Sequence, residues 1–344
     1  MVSANAGGGR GAPEGGGAPR AFVTGGSGFI GGRLIERLVR EGWTVRGLAR
    51  SDGAAAKVAA LGADPVPGDL DDRDALRAGA AGADVVFHAA AHLGEWGDRA
   101  EFERINVGGT RNVAEAARAA GARRLVHVGT EAALLAGDPL VNVNEDAPLR
   151  PDSKAAYPAT KAMAEQVVRD ANGDGLETVV VRPRLVWGAG DTTILPALAE
   201  AVRRKRFSWI GGGTHRTSTT HVDNVIEGLV LGAERGRPGG VYFVTDGDPV
   251  VFREFVTELL GTQGVTPPDR NTPAPVARAA ASLVEGAWRL LRRPGTPPVT
   301  RLAYWLSAQE CTIDISRARR ELGFEPVRSR AEGMEGLRRA HAAA

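Results

Sequence analysis

Tyr157 and Lys161 are the residues of this chain whose types and spacing best suit the transfer of a proton. They lie four positions apart in a segment that predicts a helix, so both side chains project from one face, one turn apart. An ammonium beside a phenol stabilises the phenolate, and we expect it to lower the tyrosine pKa from about 10 towards neutrality. Tyr157 could then exchange a proton with an oxygen of a substrate.

Thr130 supplies a hydroxyl that could orient the same oxygen from the other side. It follows the apolar run 125–128, which predicts a strand of a buried sheet. A tyrosine with a lysine four residues later is also common on ordinary helix surfaces. Whether this pair is catalytic therefore depends on the secondary-structure elements that position it.

Spaced glycines between a strand and a helix predict a site for the diphosphate of a dinucleotide. The apolar run 21–23 predicts the strand, and apolar residues at 34, 35, 38 and 39 predict the helix. Two glycine frames overlap and both remain open: G-x-G-x-x-G begins at Gly26, and G-x-x-G-x-x-G begins at Gly25. The predicted diphosphate ligands are Gly25, Ser27, Gly28, Phe29, Ile30 and Gly31.

The residue that follows the second predicted strand, 44–49, indicates which dinucleotide binds. An acidic side chain there would accept hydrogen bonds from the adenosine ribose, whereas a cation would pair with a 2′-phosphate. This chain has Arg50 at that position, and Asp52 is close enough to be a rival ribose ligand. The charge of Arg50 predicts that NADP(H) is preferred over NAD(H).

Two further strand ends contribute predicted cofactor contacts. Asp69 and Leu70 follow the third predicted strand, 64–67, where the carboxylate could accept from the adenine amino group or could instead cap a helix. The run 83–91 predicts a fourth strand, and its small residues Ala89 and Ala90 would let a cofactor lie close to the backbone. His88 inside this run is predicted to be a buried core histidine.

Regular alternation of strands and helices predicts an α/β fold with a doubly wound parallel sheet, the Rossmann fold. We expect this dinucleotide-binding domain to cover residues 20–185, with later returns of the chain at about 215–235. Residues 186–344 would form mainly a smaller C-terminal substrate-binding lobe. Residues 1–19 are rich in Gly, Ala and Pro, and they predict a disordered leader.

Composition excludes several classes of protein. The 43 basic and 41 acidic residues give a net charge of only +2, so no nucleic-acid partner is expected. The single cysteine, Cys311, excludes an internal disulfide, and the six histidines have no metal-ligand spacing, so no metal is expected. A cytoplasmic location is the resulting expectation. Because no run of 18 apolar residues occurs, we expect no stable membrane insertion.

An apolar stripe at helical spacing predicts a helix over residues 276–293. This helix could pack on the core, close over the site as a lid, or touch a membrane; a core or lid role is favoured because the stripe is alanine-rich. The stripe consists of Val276, Ala280, Leu283, Ala287 and Leu290.

Taken in order, these motifs resemble the extended short-chain dehydrogenases/reductases, the NAD(P)-dependent epimerase/dehydratase superfamily. Arg182-Pro183-Arg184-Leu185-Val186-Trp187-Gly188 is similar to the family's R-P-x-x-V-x-G, and His221-Val222-Asp223-Asn224-Val225 is similar to its H/Y-V-D-D-V. The segment 128–131 and the helical insertion 275–306 resemble the branch of 3β-hydroxysteroid dehydrogenases, which includes β-keto acid reductases.

The resemblance implies catalysis by Thr130, Tyr157 and Lys161, with Lys161 also holding the nicotinamide ribose and Pro183 contacting the cofactor. It implies NADP(H)-dependent interconversion of a secondary alcohol and a ketone on a hydrophobic, steroid-like or β-keto acid-like substrate. It also implies a homodimer formed through the helices that carry Asn106 and Tyr157. Asn106 is expected to act in packing first and as a proton-relay helper second.

Two alternatives remain open. A nucleotide-sugar epimerase or dehydratase uses the same machinery with a tightly bound NAD(P), but a dehydratase would need an acidic pair near Thr130, where this chain has only Glu131. A cofactor-binding sensor without turnover is disfavoured by the complete set of Thr130, Tyr157 and Lys161.

Overall fold

The computed structural model describes residues 17–343, so positions 1–16 of the predicted leader lie outside the described residues. Fifteen strands occur in the described chain. They are β1 Arg20–Thr24, β2 Thr44–Ala49, β3 Asp64–Pro67, β4 Val85–His88, β5 Arg124–Val128, β6 Leu140–Val143, β7 Glu177–Pro183, β8 Val186–Trp187, β9 Trp209–Ile210, β10 Arg216–Thr217, β11 Thr220–His221, β12 Gly240–Val244, β13 Val250–Val251, β14 Asn271–Thr272 and β15 Cys311–Ile313.

Thirteen α-helices accompany them in the same part of the chain. They are α1 Phe29–Arg40, α2 Asp52–Ala60, α3 Arg73–Ala80, α4 Arg99–Phe102, α5 Gly109–Ala119, α6 Ala156–Asp170, α7 Ile194–Arg203, α8 Val222–Arg235, α9 Phe252–Gly261, α10 Ala274–Leu290, α11 Arg301–Ala308, α12 Ser316–Leu322 and α13 Arg330–Ala342. Short 3₁₀ turns occupy Glu131–Leu134 and Gly211–Gly213, and a π-helical segment occupies Glu103–Gly108.

The central sheet has seven parallel strands within the described residues, in the order β3-β2-β1-β4-β5-β7-β12. The predicted doubly wound parallel sheet is therefore confirmed. The strand order reverses between β1 and β4, and ligands of such sheets bind in the crevice outside the carboxyl ends of the strands at that point. Strands β1, β4 and β5 thus bring their carboxyl ends side by side.

Helices cover both faces of this sheet because successive side chains of a buried strand point to opposite sides. On one face, Val23 of β1 belongs to the same apolar cluster as Leu34 of α1 and Leu229 of α8. On the other face, Phe22 belongs to a cluster with residues of α3, α5 and α6, among them Leu76. The two clusters hold the carboxyl edge of the sheet in place.

A smaller set of strands lies outside the central sheet. Four of them form a sheet in the order β13-β10-β15-β6, and β8 pairs with β11 and β9 with β14. The chain enters this part at β6, returns to the central sheet through α6 and β7, leaves it again at β8, and returns through α8 and β12. The proposed division at residue 185 thus describes two interleaved parts of the chain.

The helix expected to carry Asn106 is interrupted in the structure. A π-helical segment at Glu103–Gly108 leads into α5, and Asn106 lies within it, buried. The fourth predicted strand, 83–91, is also shorter, because pairing ends at His88 and leaves Ala89 and Ala90 beyond the strand. Both departures fall beside the predicted site, where regular structure gives way.

Of the three roles considered for this helix, which are core packing, a lid and membrane contact, the structure does not bear out core packing by the apolar stripe of α10. Val276, Leu283 and Leu290 are 57%, 73% and 83% exposed, whereas the buried positions of this helix are Ala277, Ala281 and Glu285. The carboxylate of Glu285 pairs with Arg301 at 3.2 Å, which helps to hold the face of α10 that carries these three residues inward.

Among residues 17–343, no helix combines the length and apolarity needed to cross a membrane.

The opposite environments of two leucines give a stability prediction. We expect Leu34→Ala, in the core, to lower the free energy of unfolding by about 2–5 kcal/mol through the lost contacts and the cavity. Leu283→Ala, on the exposed stripe, should change it by less than about 0.5 kcal/mol. Urea denaturation followed by circular dichroism measures both, and a comparable loss in the two variants would contradict the assignment of the exposed face.

Candidate active site

The glycine-rich turn after β1 has a geometry that favours the wider glycine frame. Gly25 has a φ of +75°, and its carbonyl oxygen accepts a 3.0 Å hydrogen bond from the amide of Gly28. A Cβ at Gly31 would lie 2.2 Å from the same carbonyl oxygen, so a side chain there would displace the turn. Gly25, Gly28 and Gly31 therefore act together in one turn.

This turn leaves the N-terminus of α1 available to an anion. Gly28 is the N-cap, and no side chain of the described residues caps the helix. A Cβ at Gly25 would lie 2.7 Å from the amide nitrogen of Ala90, so the segment after β4 passes against the turn. Ser27, Phe29 and Ile30 are partly exposed beside it. These residues fit the diphosphate of a dinucleotide.

The predicted adenosine end lies along the neighbouring strands. Arg50 is exposed directly after β2 and forms no hydrogen bond or ion pair with residues 17–343. Asp52 is instead the first residue of α2, where its charge suits the helix N-terminus. The Oδ1 of Asp69 accepts from the amides of Asp71 and Asp72, at 2.9 and 3.2 Å, and Asp72 caps α3.

Leu70 and Pro183 occupy the borders of this crevice. The side chain of Leu70 packs against Gly109, whose Cβ would come within 2.8 Å of it. The amide of Asn112 donates to the carbonyl oxygen of Leu70 at 2.9 Å, which fixes that loop. Pro183 ends β7 in register with Val244 of β12 and is buried.

Thr130, Tyr157 and Lys161 converge at the carboxyl end of β5. Thr130 caps the 3₁₀ turn Glu131–Leu134, and helix α6, which carries Tyr157, packs against that turn. Lys161 donates to the carbonyl oxygen of Val128 at 2.9 Å, and its Nζ lies 3.5 Å from Nε2 of His127. The tertiary structure thus brings together the three residues that sequence spacing singled out.

The expected effect of Lys161 on Tyr157 is wrong for the structure as it stands. Burial raises the pKa of Tyr157, the negative charge of Glu131 raises it further, and the hydrogen bond with Thr130 opposes both. Because the Lys161 ammonium turns towards Val128 and His127, it does not offset the charge of Glu131. Tyr157 is therefore a protonated phenol in this state.

Lys161 is itself strongly affected by its surroundings. Burial lowers its pKa to about 8, and the charge of Glu165, one turn further along α6, opposes this change. Glu165 is fully buried and is held by Arg182, whose Nε and Nη2 donate to its two oxygens at 2.8 and 2.6 Å. The catalytic helix is thereby tied to strand β7.

Two histidines lie behind Lys161. His88 was predicted to be a core histidine, and this is confirmed, since its ring nitrogens lie 2.7 Å from Thr24 Oγ1 and 2.9 Å from Thr110 Oγ1. The rings of His88 and His127 are 5.2 Å apart. Burial and the charge of Lys161 lower the pKa of His88 to about 3, so this ring stays neutral.

Asn106 has its amide fully engaged in packing contacts. Its Oδ1 accepts from the amide of His92 at 2.7 Å, while its Nδ2 donates to the carbonyl oxygen of His92 and to Thr160 Oγ1, at 3.2 and 3.1 Å. The bond to Thr160, the residue before Lys161, connects the π-helical segment to α6.

Sequence reasoning missed the pairing of Glu131 with Arg184. Arg184 donates to Oε1 of Glu131 at 2.6 Å, and the Thr130 hydroxyl donates to Oε2 at 2.8 Å. Both charged side chains are almost fully buried. The adjacency of Thr130 and Glu131 was visible in the sequence, but Arg184 lies 53 positions away and meets Glu131 only through the tertiary fold.

Within residues 17–343, no cluster of His, Cys, Asp or Glu side chains could hold a metal ion.

The chain is similar to several known proteins. Residues 22–274 match the 3-beta hydroxysteroid dehydrogenase/isomerase family. A 4-hydroxy-2-methyl-3-oxo-4-farnesyl-3,4-dihydroquinoline-1-oxide ketoreductase from Stigmatella aurantiaca is 52% identical over 321 residues, which cover 93% of this chain and 96% of that protein. A 2-alkyl-3-oxoalkanoate reductase from Stenotrophomonas maltophilia is 38% identical over 334 residues, covering 94% and 100%.

Solved structures share the fold at lower identity. A dTDP-glucose 4,6-dehydratase from Streptomyces venezuelae, solved with NAD, superposes with a TM-score of 0.74 at 24% identity. The alignment covers 94% of this chain and 97% of that one. The likeness extends over both the central sheet and the smaller lobe.

The buried pair of Arg182 and Glu165 gives a prediction for the catalytic helix. Arg182→Met should lower the free energy of unfolding by about 3–5 kcal/mol, because it removes the main partner of a buried carboxylate. Arg204→Met is the matched control, since Arg204 pairs with Glu200 on the surface and its loss should cost less than about 1 kcal/mol. Chemical denaturation of both variants tests this; equal small losses would contradict the structural role of the pair.

Proposed function

The chain belongs to the 3-beta hydroxysteroid dehydrogenase/isomerase family and is an NAD(P)-dependent dehydrogenase or reductase, and we propose that it is an NADP(H)-dependent ketoreductase of hydrophobic substrates. The observation that carries the proposal is the convergence of Thr130, Tyr157 and Lys161 at the carboxyl end of β5. This end lies two strands from the glycine turn, so a dinucleotide could extend from one to the other.

The residues that would hold the cofactor are those of the glycine turn and the neighbouring strand ends. Gly25, Ser27, Gly28, Phe29, Ile30 and Gly31 would bind the diphosphate, Asp69 and Leu70 the adenine, and Ala89, Ala90 and Pro183 the remainder. When bound, the dinucleotide supplies the hydride that reduces a ketone or accepts it from an alcohol. Lys161 would hold the nicotinamide ribose, and Tyr157 would contact the same end.

Tyr157 would exchange the proton of the substrate oxygen. A protonated phenol suits the reducing direction, because the ketone oxygen must gain a proton as it becomes an alcohol. Thr130 would help to place that oxygen, and Lys161, with a pKa of about 8, would switch between charged and neutral forms near the working pH.

The substrate class rests on the relatives. One acts on a farnesyl-bearing dihydroquinoline oxide and another on a 2-alkyl-3-oxoalkanoate, as their names state, and both names combine a ketone with a hydrocarbon group, farnesyl in one and alkyl in the other. We therefore propose a ketone of this kind, β-keto acid-like or steroid-like, for this chain. The nucleotide-sugar alternative is weaker, since the sugar-nucleotide enzymes among its structural neighbours are under 25% identical and indicate the fold alone.

Three further features remain proposals. The helices that carry Asn106 and Tyr157, with α5, would form the interface of a homodimer. A cytoplasmic location fits the single, buried cysteine, Cys311. The central sheet would bind the cofactor and the smaller lobe would bind the substrate. Light scattering on a sizing column would test the dimer directly.

Replacing Tyr157 tests the proposed chemistry. Tyr157→Phe keeps the ring but removes the exchangeable proton, and we expect turnover of a β-keto acid substrate with NADPH to fall by about 10²–10⁴-fold. Tyr242→Phe is the control, because its buried hydroxyl contacts Glu321 and the amide of Arg237 and lies on β12, two strands from β5. Wild-type turnover by Tyr157→Phe would refute the proton-exchange role.

Replacing Arg50 tests the cofactor preference. Arg50→Ala should reduce the ratio of NADPH affinity to NADH affinity by about tenfold or more, since a charge-assisted contact to the 2′-phosphate is lost. Arg40→Ala, at the exposed far end of α1, should leave the ratio unchanged. Cofactor titrations by fluorescence measure both ratios, and an unaltered ratio in Arg50→Ala would remove the basis for NADP(H) preference.

A further inference from the structure

The exposed large hydrophobic side chains of this protein are concentrated in one region. Among residues 17–343 there are seven of them, and five lie on α10, directly after it, or in the loop that follows β4. We call these five the apolar patch: Leu93, Val276, Leu283, Leu290 and Leu291. Exposed apolar residues that occur singly need no explanation, whereas a group of them marks a surface that binds something.

Arg289 connects the two parts of the apolar patch. Its guanidinium lies 5.1 Å from the ring centroid of Trp96, which belongs to the same loop as Leu93. Its Nη2 also donates to the carbonyl oxygen of Lys154 at 3.4 Å, three residues before Tyr157. The buried alanines of α10 belong to the apolar cluster against which Tyr157 packs. The patch is therefore the outer side of a segment that adjoins the candidate active site.

The outward side of α10 carries positive charge and no carboxylate. Residues 274–293 contain four arginines and a single acidic residue, Glu285, which is buried and pairs with Arg301. Long arginine side chains can lie along an apolar surface and place the guanidinium at its border. All four are exposed: Arg278, Arg289, Arg292 and Arg293.

A second group of cations lies beside the start of α10. Residues 203–206, with the sequence Arg-Arg-Lys-Arg, are exposed at the end of α7. Arg270 donates to the carbonyl oxygen of Lys205 at 3.0 Å, and β9 pairs with β14, which leads into α10. Cations therefore accompany the apolar patch at both ends of the helix.

This distribution of charge decides which occupant suits the patch. A second copy of the chain would bring cations against cations, because both ends of α10 are basic, and like charges oppose such a contact. The carboxylates beside the basic run are already paired, Glu200 with Arg204 and Asp269 with Arg253. An anionic bilayer supplies phosphates for the arginines and an apolar layer for the leucines.

We propose that the apolar patch and its flanking cations dock this protein on the surface of an anionic lipid bilayer. The contact is peripheral, with α10 in the plane of the surface and Val276, Leu283 and Leu290 in the interfacial layer. These three residues are spaced by seven positions and share one face of the helix. The docking goes beyond the proposed function and does not depend on it. For a ketone reductase, it would place the active site beside the phase in which an apolar substrate dissolves.

Co-sedimentation with lipid vesicles tests the docking without requiring turnover. Vesicles of phosphatidylcholine with added phosphatidylglycerol, which is anionic, are compared with vesicles of phosphatidylcholine alone. We expect the wild type to bind the anionic vesicles about tenfold more tightly or better, and we expect salt to weaken this binding by screening the charges. Absence of binding, or equal affinity for the two kinds of vesicle, would overturn the proposal.

Paired variants test the apolar part of the surface. Leu283→Asp/Leu290→Asp should lower the affinity for anionic vesicles by about tenfold or more, because charged side chains replace those that enter the interfacial layer. Val141→Asp/Val327→Asp is the matched control, since it adds the same charge at two exposed hydrophobic residues outside the patch. We expect it to bind within about threefold of the wild type. Equal losses in the two double variants would contradict docking through α10.

The basic part of the surface is tested in the same way. Arg292→Gln/Arg293→Gln should weaken binding to anionic vesicles by about tenfold or more, because each cation near such a surface contributes about fivefold. The control is Arg319→Gln/Arg320→Gln, which removes the same charge from exposed positions of α12. A stronger effect of the control pair would show that another face meets the lipid.

A fluorescent probe identifies the face that contacts the lipid. Because the single cysteine, Cys311, is buried, Leu283→Cys provides one accessible thiol for a polarity-sensitive dye. Its emission should shift to the blue with anionic vesicles, whereas the same dye at Val327→Cys should not respond. A shift that follows protein concentration without lipid would assign the patch to a second copy and overturn the proposal. Vesicle binding and ketone reduction are measured separately, so the failure of one leaves the other standing.

Discussion

Two buried ion pairs that originate from one tripeptide hold the candidate active site together. Arg182 and Arg184 flank Pro183 at the end of β7, and they reach in different directions. Arg182 binds Glu165 on the catalytic helix, and Arg184 binds Glu131 in the turn that carries Thr130. An unpaired charge buried in the protein interior is energetically unfavourable, so each carboxylate is held where it can pair with its arginine. The two halves of the site are thus set by a single stretch of backbone.

This arrangement also decides the protonation states in the site. Burial favours neutral forms, and the two histidines and the thiol of Cys311 respond by staying uncharged. Glu131 and Glu165 are each paired with a buried arginine, Arg184 and Arg182. The charge of Glu131 raises the pKa of Tyr157, whereas Lys161, one turn further along α6, feels the charge of Glu165. A tyrosine that keeps its proton and a lysine poised near neutrality follow from that separation.

The binding half of the site depends on a different constraint, the close approach of backbones. The carbonyl oxygen of Gly25 lies where a Cβ of Gly31 would be, and the segment at Ala90 lies against Gly25 itself. The parallel order of β1, β4 and β5 places these contacts next to the end of β5. His88 and His127 connect the two halves below the surface, from Thr24 to Lys161. The glycine-rich turn and the candidate catalytic residues therefore share one edge of the sheet.

Local pattern was sufficient to predict the fold, and it singled out the candidate site residues that the structure brings together. Apolar runs, glycine spacing and the four-residue separation of Tyr157 and Lys161 depend on neighbouring positions, so they predicted the parallel sheet and the catalytic helix. Long-range contacts decided the rest. The direction of Lys161, the clamp of Arg184 on Glu131, the π-helical bend at Asn106 and the outward face of α10 depend on which distant segments meet. Hydrophobic periodicity predicted an apolar face for α10 but could not predict which face of the helix would be buried. In the structure the buried face carries Glu285, which pairs with Arg301. The protonation state of Tyr157 could likewise not be predicted from sequence spacing, because it depends on burial and on charged side chains that only folding brings together.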